Sequence, residues 1–215
     1  MRAVVFANGV LSDLEKSLSY LRPDDTIIAA DGGVLHCQAL GLTPDVVIGD
    51  FDSLEVEEVD RLEASSVKVI RHPARKDYTD LELALQYARD IGAEPILVMA
   101  ALGSRWDQTL ANLLLPASES FSKVDIRLLD GDQEILLVRA GQKVEIHGKP
   151  GDTVSLIPLY GDARGITTKG LEYPLDEGIL YFGSTRGISN VLIDGEAVIS
   201  LREGLLVGVL IHALA

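Results

Sequence analysis

Thr26-Ile27-Ile28-Ala29-Ala30-Asp31-Gly32-Gly33 holds a strand and its exit. Five apolar or β-branched residues have the length and composition of a buried strand, Asp-Gly-Gly supplies a turn, and Val34-Leu35-His36-Cys37 opens a short helix. The same grammar recurs on both sides. Val46-Val47-Ile48 runs into Gly49-Asp50-Phe51-Asp52-Ser53, residues 67–71 precede Lys76-Asp77-Tyr78-Thr79-Asp80, and residues 96–100 precede Gly103-Ser104-Arg105-Trp106-Asp107-Gln108. With further strands expected at 3–7 and 125–129, strands alternate with helices over residues 1–130. That alternation predicts an α/β domain with an open, mostly parallel sheet and flanking helices. Two capping boxes mark helix starts, Ser12-Asp13-Leu14-Glu15 and Thr79-Asp80-Leu81-Glu82. After the second, Leu81, Leu85 and Ala88 share one face, so residues 79–91 read as a helix packed on the sheet.

Near Asp130-Gly131-Asp132 the texture changes to short β-branched and apolar segments separated by Gly, Pro and Asp: 134–138, 143–146, 153–158, 165–168, 179–182, 189–193, 197–201 and 206–212. Such spacing predicts an all-β sandwich over residues 131–215. The 215-residue chain is long enough for these two domains. Its net charge of -14 argues against a broad basic surface for nucleic acid or an anionic membrane. One cysteine, Cys37, excludes an intramolecular disulfide and a cysteine zinc site, and is expected buried in a short helix. The apolar stretch at the N-terminus is too short for a signal peptide and no run approaches the ~20 residues of a membrane span, so a cytoplasmic location is expected.

The four Asp-bearing segments all fall where loops leave the carboxyl ends of parallel strands, the edge at which open α/β sheets bind ligands. Carboxylates gathered there repel one another and raise each other's pKa unless a cation sits among them, and magnesium suits such a set. If the segment after Ile48 stays extended, Asp50 and Asp52 point to one side and share a metal; a solvated Asp-rich turn accounts for them equally well. Asp31-Gly32-Gly33 admits close backbone approach by a ligand, but is also an ordinary strand-to-helix turn. Asp80 opens the helix after the third segment, where Lys76 or Arg75 could meet phosphate oxygens. Arg105 offers a donor fork suited to phosphate, or a plain ion pair with Asp107. Trp106 is either core or the flank of an adenine ring. The four histidines lack metal-ligand spacing, and no serine sits in a nucleophile elbow.

These residues in this order resemble the thiamine pyrophosphokinases over nearly the whole chain. The resemblance rests on Ala30-Asp31-Gly32-Gly33, on Pro44-Asp45 through Gly49-Asp50-Phe51-Asp52-Ser53, on Lys76-Asp77-Tyr78-Thr79-Asp80, on Arg105-Trp106-Asp107-Gln108 and on Gly187-Ile188-Ser189-Asn190. It implies transfer of pyrophosphate from ATP to the hydroxyl of thiamine, with AMP released, by a homodimer that carries thiamine at the subunit interface. By matching positions it implies that Asp50, Asp52 and Asp80 hold magnesium, with Asp31 beside them in the catalytic set. Lys76, Asp77, Arg105, Asp107 and Gln108 are implied on the ATP side, and Tyr173, Ser189 and Asn190 around thiamine. Two departures stand out: Val34-Leu35 replaces the family's common Ala-Asn, and Gln108 stands where many bacterial members carry His. A pyrophosphokinase for another primary alcohol, such as a hydroxymethyl pterin, and a noncatalytic nucleotide or thiamine sensor are the competing readings.

Overall fold

The computed structural model describes residues 1–54, 56–75 and 77–213, without the Val56 side chain. Two compact units emerge, Met1–Gly131 and the residues from Asp132 onward.

In the first unit the strands are β1 (Ala3–Phe6), β2 (Thr26–Ala30), β3 (Val46–Gly49), β4 (Lys68–Arg71), β5 (Ile96–Met99) and β6 (Ile126–Asp130). The helices are α1 (Leu14–Tyr20), α2 (Gly33–Ala39), α3 (Val56–Ala64), α4 (Asp80–Asp90) and α5 (Trp106–Leu114). The strands run in the order β6-β5-β1-β2-β3-β4, and every neighbouring pair is parallel. The chain therefore walks outward from β1 to β4 and then returns to the other side of β1 for β5 and β6. Covered on both faces, β1 and β5 are apolar at every position and fully buried, as parallel strands between helix layers must be.

Thr79 caps α4 by accepting from the Glu82 N–H, and Leu81, Leu85 and Ala88 are buried as the sequence predicts, joined by Ala84. At α1 the expected box is displaced by one residue. Asp13 is the cap and accepts from the Lys16 N–H at 2.9 Å, because the Ser12 hydroxyl is spent donating to Asp130 at 2.8 Å. Cys37 is buried in α2, and burial in apolar surroundings pushes its thiol up to about 12. No helix among the described residues is long and apolar enough to cross a membrane.

The second unit is antiparallel. Its strands are β7 (Gln133–Arg139), β8 (Lys143–His147), β9 (Thr153–Pro158), β10 (Ala163–Lys169), β11 (Gly178–Leu180), β12 (Asn190–Val191), β13 (Glu196–Ser200) and β14 (Leu205–Ile211). They pair in the orders β12-β9-β14-β7 and β11-β10-β13-β8. Every second residue of β14 is buried, the period of a strand with one face on a core, and the unit's core includes Leu136, Val154, Ile166, Ile199 and Leu206. The strands expected at 179–182 and 189–193 are shorter than the sequence suggests. Tyr181 opens a turn closed by the Ser184 N–H, and Ser189 takes a left-handed φ of 60° that ends pairing before Asn190.

One buried carboxylate ties this unit's end in place. Asp152 accepts from the Lys149 N–H at 2.8 Å, the Ala213 N–H at 2.9 Å and His212 Nδ1 at 2.9 Å. Burial by itself raises this carboxyl, but the two backbone donors and His212 outweigh it and hold the pKa below the usual range. A depressed folded-state pKa contributes stability above the unfolded value, and that contribution is lost as pH falls through the folded one. Asp152→Asn should therefore cost about 2–4 kcal/mol at neutral pH, and the deficit should shrink below about pH 4. Urea unfolding at both pH values measures it; a deficit independent of pH contradicts the assignment.

Candidate active site

Because strand order reverses between β1 and β5, the loops leaving these two strands diverge and open a crevice at the carboxyl edge of the sheet. A cleft of about 580 Å³ lies there. The β1 loop contributes Asn8, Gly9 and Val10, and the β5 loop contributes Ala101 to Arg105. Asp31, Asp50 and Asp80 line it as well, with Gln108, Thr109 and Asn112 from α5. Hydrogen bonds fix both loops. The Gly9 N–H donates to the Ala100 carbonyl at 2.7 Å, His36 Nε2 reaches the Gly9 carbonyl at 3.0 Å, and the buried Asn112 amide donates to the Ala101 carbonyl at 2.6 Å.

Asp31 sits at the end of β2 with a left-handed φ of 48° and is only 7% exposed. Its N–H donates to the Ile48 carbonyl at 2.8 Å. Gly49 allows this approach, since a Cβ there would lie 3.0 Å from Asp31 Cβ. The Ser53 hydroxyl donates to Asp31 Oδ2 at 2.5 Å, while Oδ1 is buried with no hydrogen-bond partner among the described residues. A buried carboxylate oxygen without a donor is costly unless something outside the chain meets it.

Asp31, Asp50 and Asp52 can each bring one oxygen within 4.8 Å of the other two. The segment joining Asp50 to Asp52 is not extended. Phe51 has φ 65°, is buried, and lies under the Arg71 guanidinium at 5.1 Å. That left-handed residue makes a tight turn in which the Asp52 N–H donates to Asp50 Oδ1 at 3.2 Å, so both carboxylates face Asp31 through a turn and not through strand alternation. The charge of Asp50 is the main reason the Asp52 carboxyl is raised, with desolvation, Asp31 and Asp80 adding to it. Asp80 thus shares the electrostatic site and lines the cleft, but lies outside the three-carboxylate group. Asp50→Asn should bring Asp52 back toward an ordinary carboxylate value in metal-free protein, read by the side-chain carboxyl shift against pH; an unmoved titration refutes Asp50 as the cause.

Three converging carboxylates, of which Asp31 has a buried oxygen without a partner among the described residues and Asp52 is raised by its neighbours, fit a hard divalent cation such as magnesium. Arg105 and Gln108 lie on the cleft wall. Arg105 donates to Asp107 at 2.5 Å, which raises the guanidinium and lowers Asp107, and both are exposed. Asp77 is exposed and does not line the cleft, and Lys76 lies outside the described residues. Trp106 is 76% exposed and so is not core. In the second unit Tyr173 and Ser189 are exposed, and the Asn190 side chain binds the Tyr173 backbone.

The first loop, Asn8-Gly9-Val10, is missing from the residues that the sequence singles out. Its signal was positional: it follows the first strand, which becomes the switch-point strand only once the sheet order is known.

A switch-point cleft edged by carboxylates and Arg105 defines a ligand-binding class of α/β protein whose acidic lining suits a hard cation and whose guanidinium suits an anion. Residues 17–128 match the family model "Thiamin pyrophosphokinase, catalytic domain", and residues 142–206 match "Thiamin pyrophosphokinase, vitamin B1 binding domain". The chain belongs to the thiamin pyrophosphokinase family. It is 29% identical to the thiamine pyrophosphokinase of Bacillus subtilis over 96% of this chain and 97% of that protein. The crystal structure of the B. subtilis protein superposes with a TM-score of 0.87 at 28% identity, covering all of both chains. That of thiamin pyrophosphokinase from Geobacillus thermodenitrificans gives 0.85 at 27% identity, covering 100% of this chain and 99% of that one.

Proposed function

We infer that this chain transfers pyrophosphate from ATP to the hydroxyl of thiamine, giving thiamine pyrophosphate and AMP. The observation that carries the reading is the buried Asp31 Oδ1, which has no hydrogen-bond partner among the described residues, beside the carboxylates of a switch-point cleft in a chain of this family. The thiamine hydroxyl oxygen forms a bond to the β-phosphorus as the bond from that phosphorus to the AMP oxygen breaks. The hydroxyl proton passes to a cleft carboxylate, for which Asp31 and Asp80 are the candidates. Such transfers depend on positioning and charge neutralisation more than on covalent chemistry.

By the resemblance Asp50, Asp52 and Asp80 would hold magnesium with Asp31 beside them, a reading that the convergence of Asp31, Asp50 and Asp52 supports; when bound, the ion supplies positive charge against the triphosphate. Arg105 adds a fixed cation on the cleft wall, with Gln108 near it. Asp107 orients Arg105 through their ion pair. Asp77 and Lys76 belong to the same proposed nucleotide side on the strength of the resemblance. In the second unit Tyr173, Ser189 and Asn190 form the proposed thiamine site, in residues matched by the vitamin B1 binding model. The working form is proposed to be a cytoplasmic homodimer, the division into domains that of residues 1–130 and 131–215.

The test is AMP release from ATP and magnesium with thiamine, with a hydroxymethyl pterin and with neither. Thiamine-dependent AMP with equimolar thiamine pyrophosphate supports the reading. Pterin-dependent AMP, or none under any condition, overturns it.

A further inference from the structure

Resting on the reading of Tyr173 as the aromatic wall of the thiamine site, we propose that Asn190 is a positioning residue that acts on thiamine through Tyr173 and does not touch it through an acceptor of its own. Two segments of the second unit run antiparallel here. The Ile193 N–H donates to the Gly170 carbonyl at 3.0 Å, Leu171 bridges Leu192, and the Glu172 N–H donates to the Val191 carbonyl at 2.9 Å. At the next step a side chain replaces the backbone. The Tyr173 N–H donates to Asn190 Oδ1 at 3.0 Å, and Asn190 Nδ2 donates to the Tyr173 carbonyl at 2.8 Å. The amide imitates a peptide unit and extends the ladder by one rung.

The donor and acceptor inventory then limits what else Asn190 can do. Its Oδ1 also accepts from the Val191 N–H at 2.9 Å, so both lone pairs are committed. One hydrogen on Nδ2 is left. Two N–H groups aimed at one atom also settle which end of the amide is oxygen, since the flipped amide would set donor against donor. On its other side Tyr173 is followed by Pro174, which confines Tyr173 to extended backbone. A side chain that is 65% exposed thus stands on a backbone fixed from both sides. Ser189 contrasts with its neighbour. Its N–H donates to Ser155 Oγ at 3.0 Å, and its own exposed hydroxyl has no hydrogen-bond partner among the described residues. Of the pair, Ser189 is the one with polar capacity to spare for a ligand.

A double-mutant cycle separates action through Tyr173 from direct contact. Asn190→Ala should raise the KM for thiamine about tenfold, or about 1.4 kcal/mol, with the KM for ATP and kcat within about twofold. In a Tyr173→Ala background the same change should add almost nothing. Additive losses in the cycle overturn the proposal, as does a wild-type KM for thiamine in either single variant. Asn190→Asp, which keeps the acceptor and loses the donor to the Tyr173 carbonyl, replaces the alanine variant if that one does not fold. A second measurement needs no substrate: the Tyr173 amide should exchange its hydrogen at least about tenfold faster in the variant, and an unchanged rate overturns the positioning. Absence of thiamine-dependent AMP in the wild type fails the proposed function instead, and the exchange rate tells the two failures apart.

Discussion

Asp52→Asn is expected to reduce AMP formation by about 100- to 1,000-fold, the scale on which loss of one preorganised electrostatic group acts, without lowering the melting temperature of the metal-free protein. Both halves follow from the same geometry. Asp52 is exposed, and its own N–H donates to Asp50 Oδ1 at 3.2 Å within the turn. Its carboxyl is raised chiefly by Asp50, so in the absence of a cation its charge is disfavoured in the folded protein. A folded pKa above the unfolded one means that stability falls as pH rises through it, and neutralising the group removes that penalty. The proposed turnover needs the opposite condition, with Asp52 ionised beside a divalent ion. Steady-state AMP release and thermal melts with and without magnesium check the two halves separately. Wild-type-like turnover refutes the carboxylate assignment; a lowered metal-free melting temperature refutes the account of the raised pKa.

Most of the fold was legible because local signals and tertiary demands agree. Residues 26–30 form a parallel strand and 153–158 an antiparallel one with the expected limits, and the remaining parallel strands fall within about a residue of theirs, the central ones being apolar runs buried on both faces. The α1 cap shifted from Ser12 to Asp13 because a partner distant in sequence, Asp130, claimed the serine hydroxyl, and no local rule sees that. Strand order was equally hidden. Without it the Asp-rich loops could be gathered at one edge, but Asn8-Gly9-Val10 could not be placed in the crevice. Asp50 and Asp52 do converge, but through another backbone than the one expected: alternation suggested an extended segment, whereas Phe51 takes φ 65° with its ring buried. A bulky residue in that region is unfavourable in isolation, so only the surrounding packing makes it stand. Asn190 carries the same lesson at the level of roles, because a side chain's free hydrogen-bonding capacity is a property of its neighbours.

Gly33→Ala should be the most damaging single methyl in the first unit, costing about 3 kcal/mol or more and lowering the melting temperature by roughly 6–12 °C. Gly33 is the first residue of α2, where the helix starts across the exit of β1. A Cβ there would lie 2.1 Å from the Phe6 carbonyl oxygen and 2.8 Å from its carbon. Both are backbone atoms of a central strand, held by β2 on one side and β5 on the other, so no side chain can swing aside. The strain must be relieved by moving the start of α2, and Asp31 lies two residues before it with its geometry set by the Ile48 carbonyl. Divalent-ion affinity should therefore fall along with stability, whereas a purely packing defect would lower stability alone. Gly195→Ala is the matched control, since a Cβ there meets nothing nearer than 3.6 Å. Thermal melts with and without magnesium on both variants measure the effect. A Gly33 variant that melts like the control contradicts the backbone clash, and one that is destabilised with its magnesium response intact contradicts the link from α2 to Asp31.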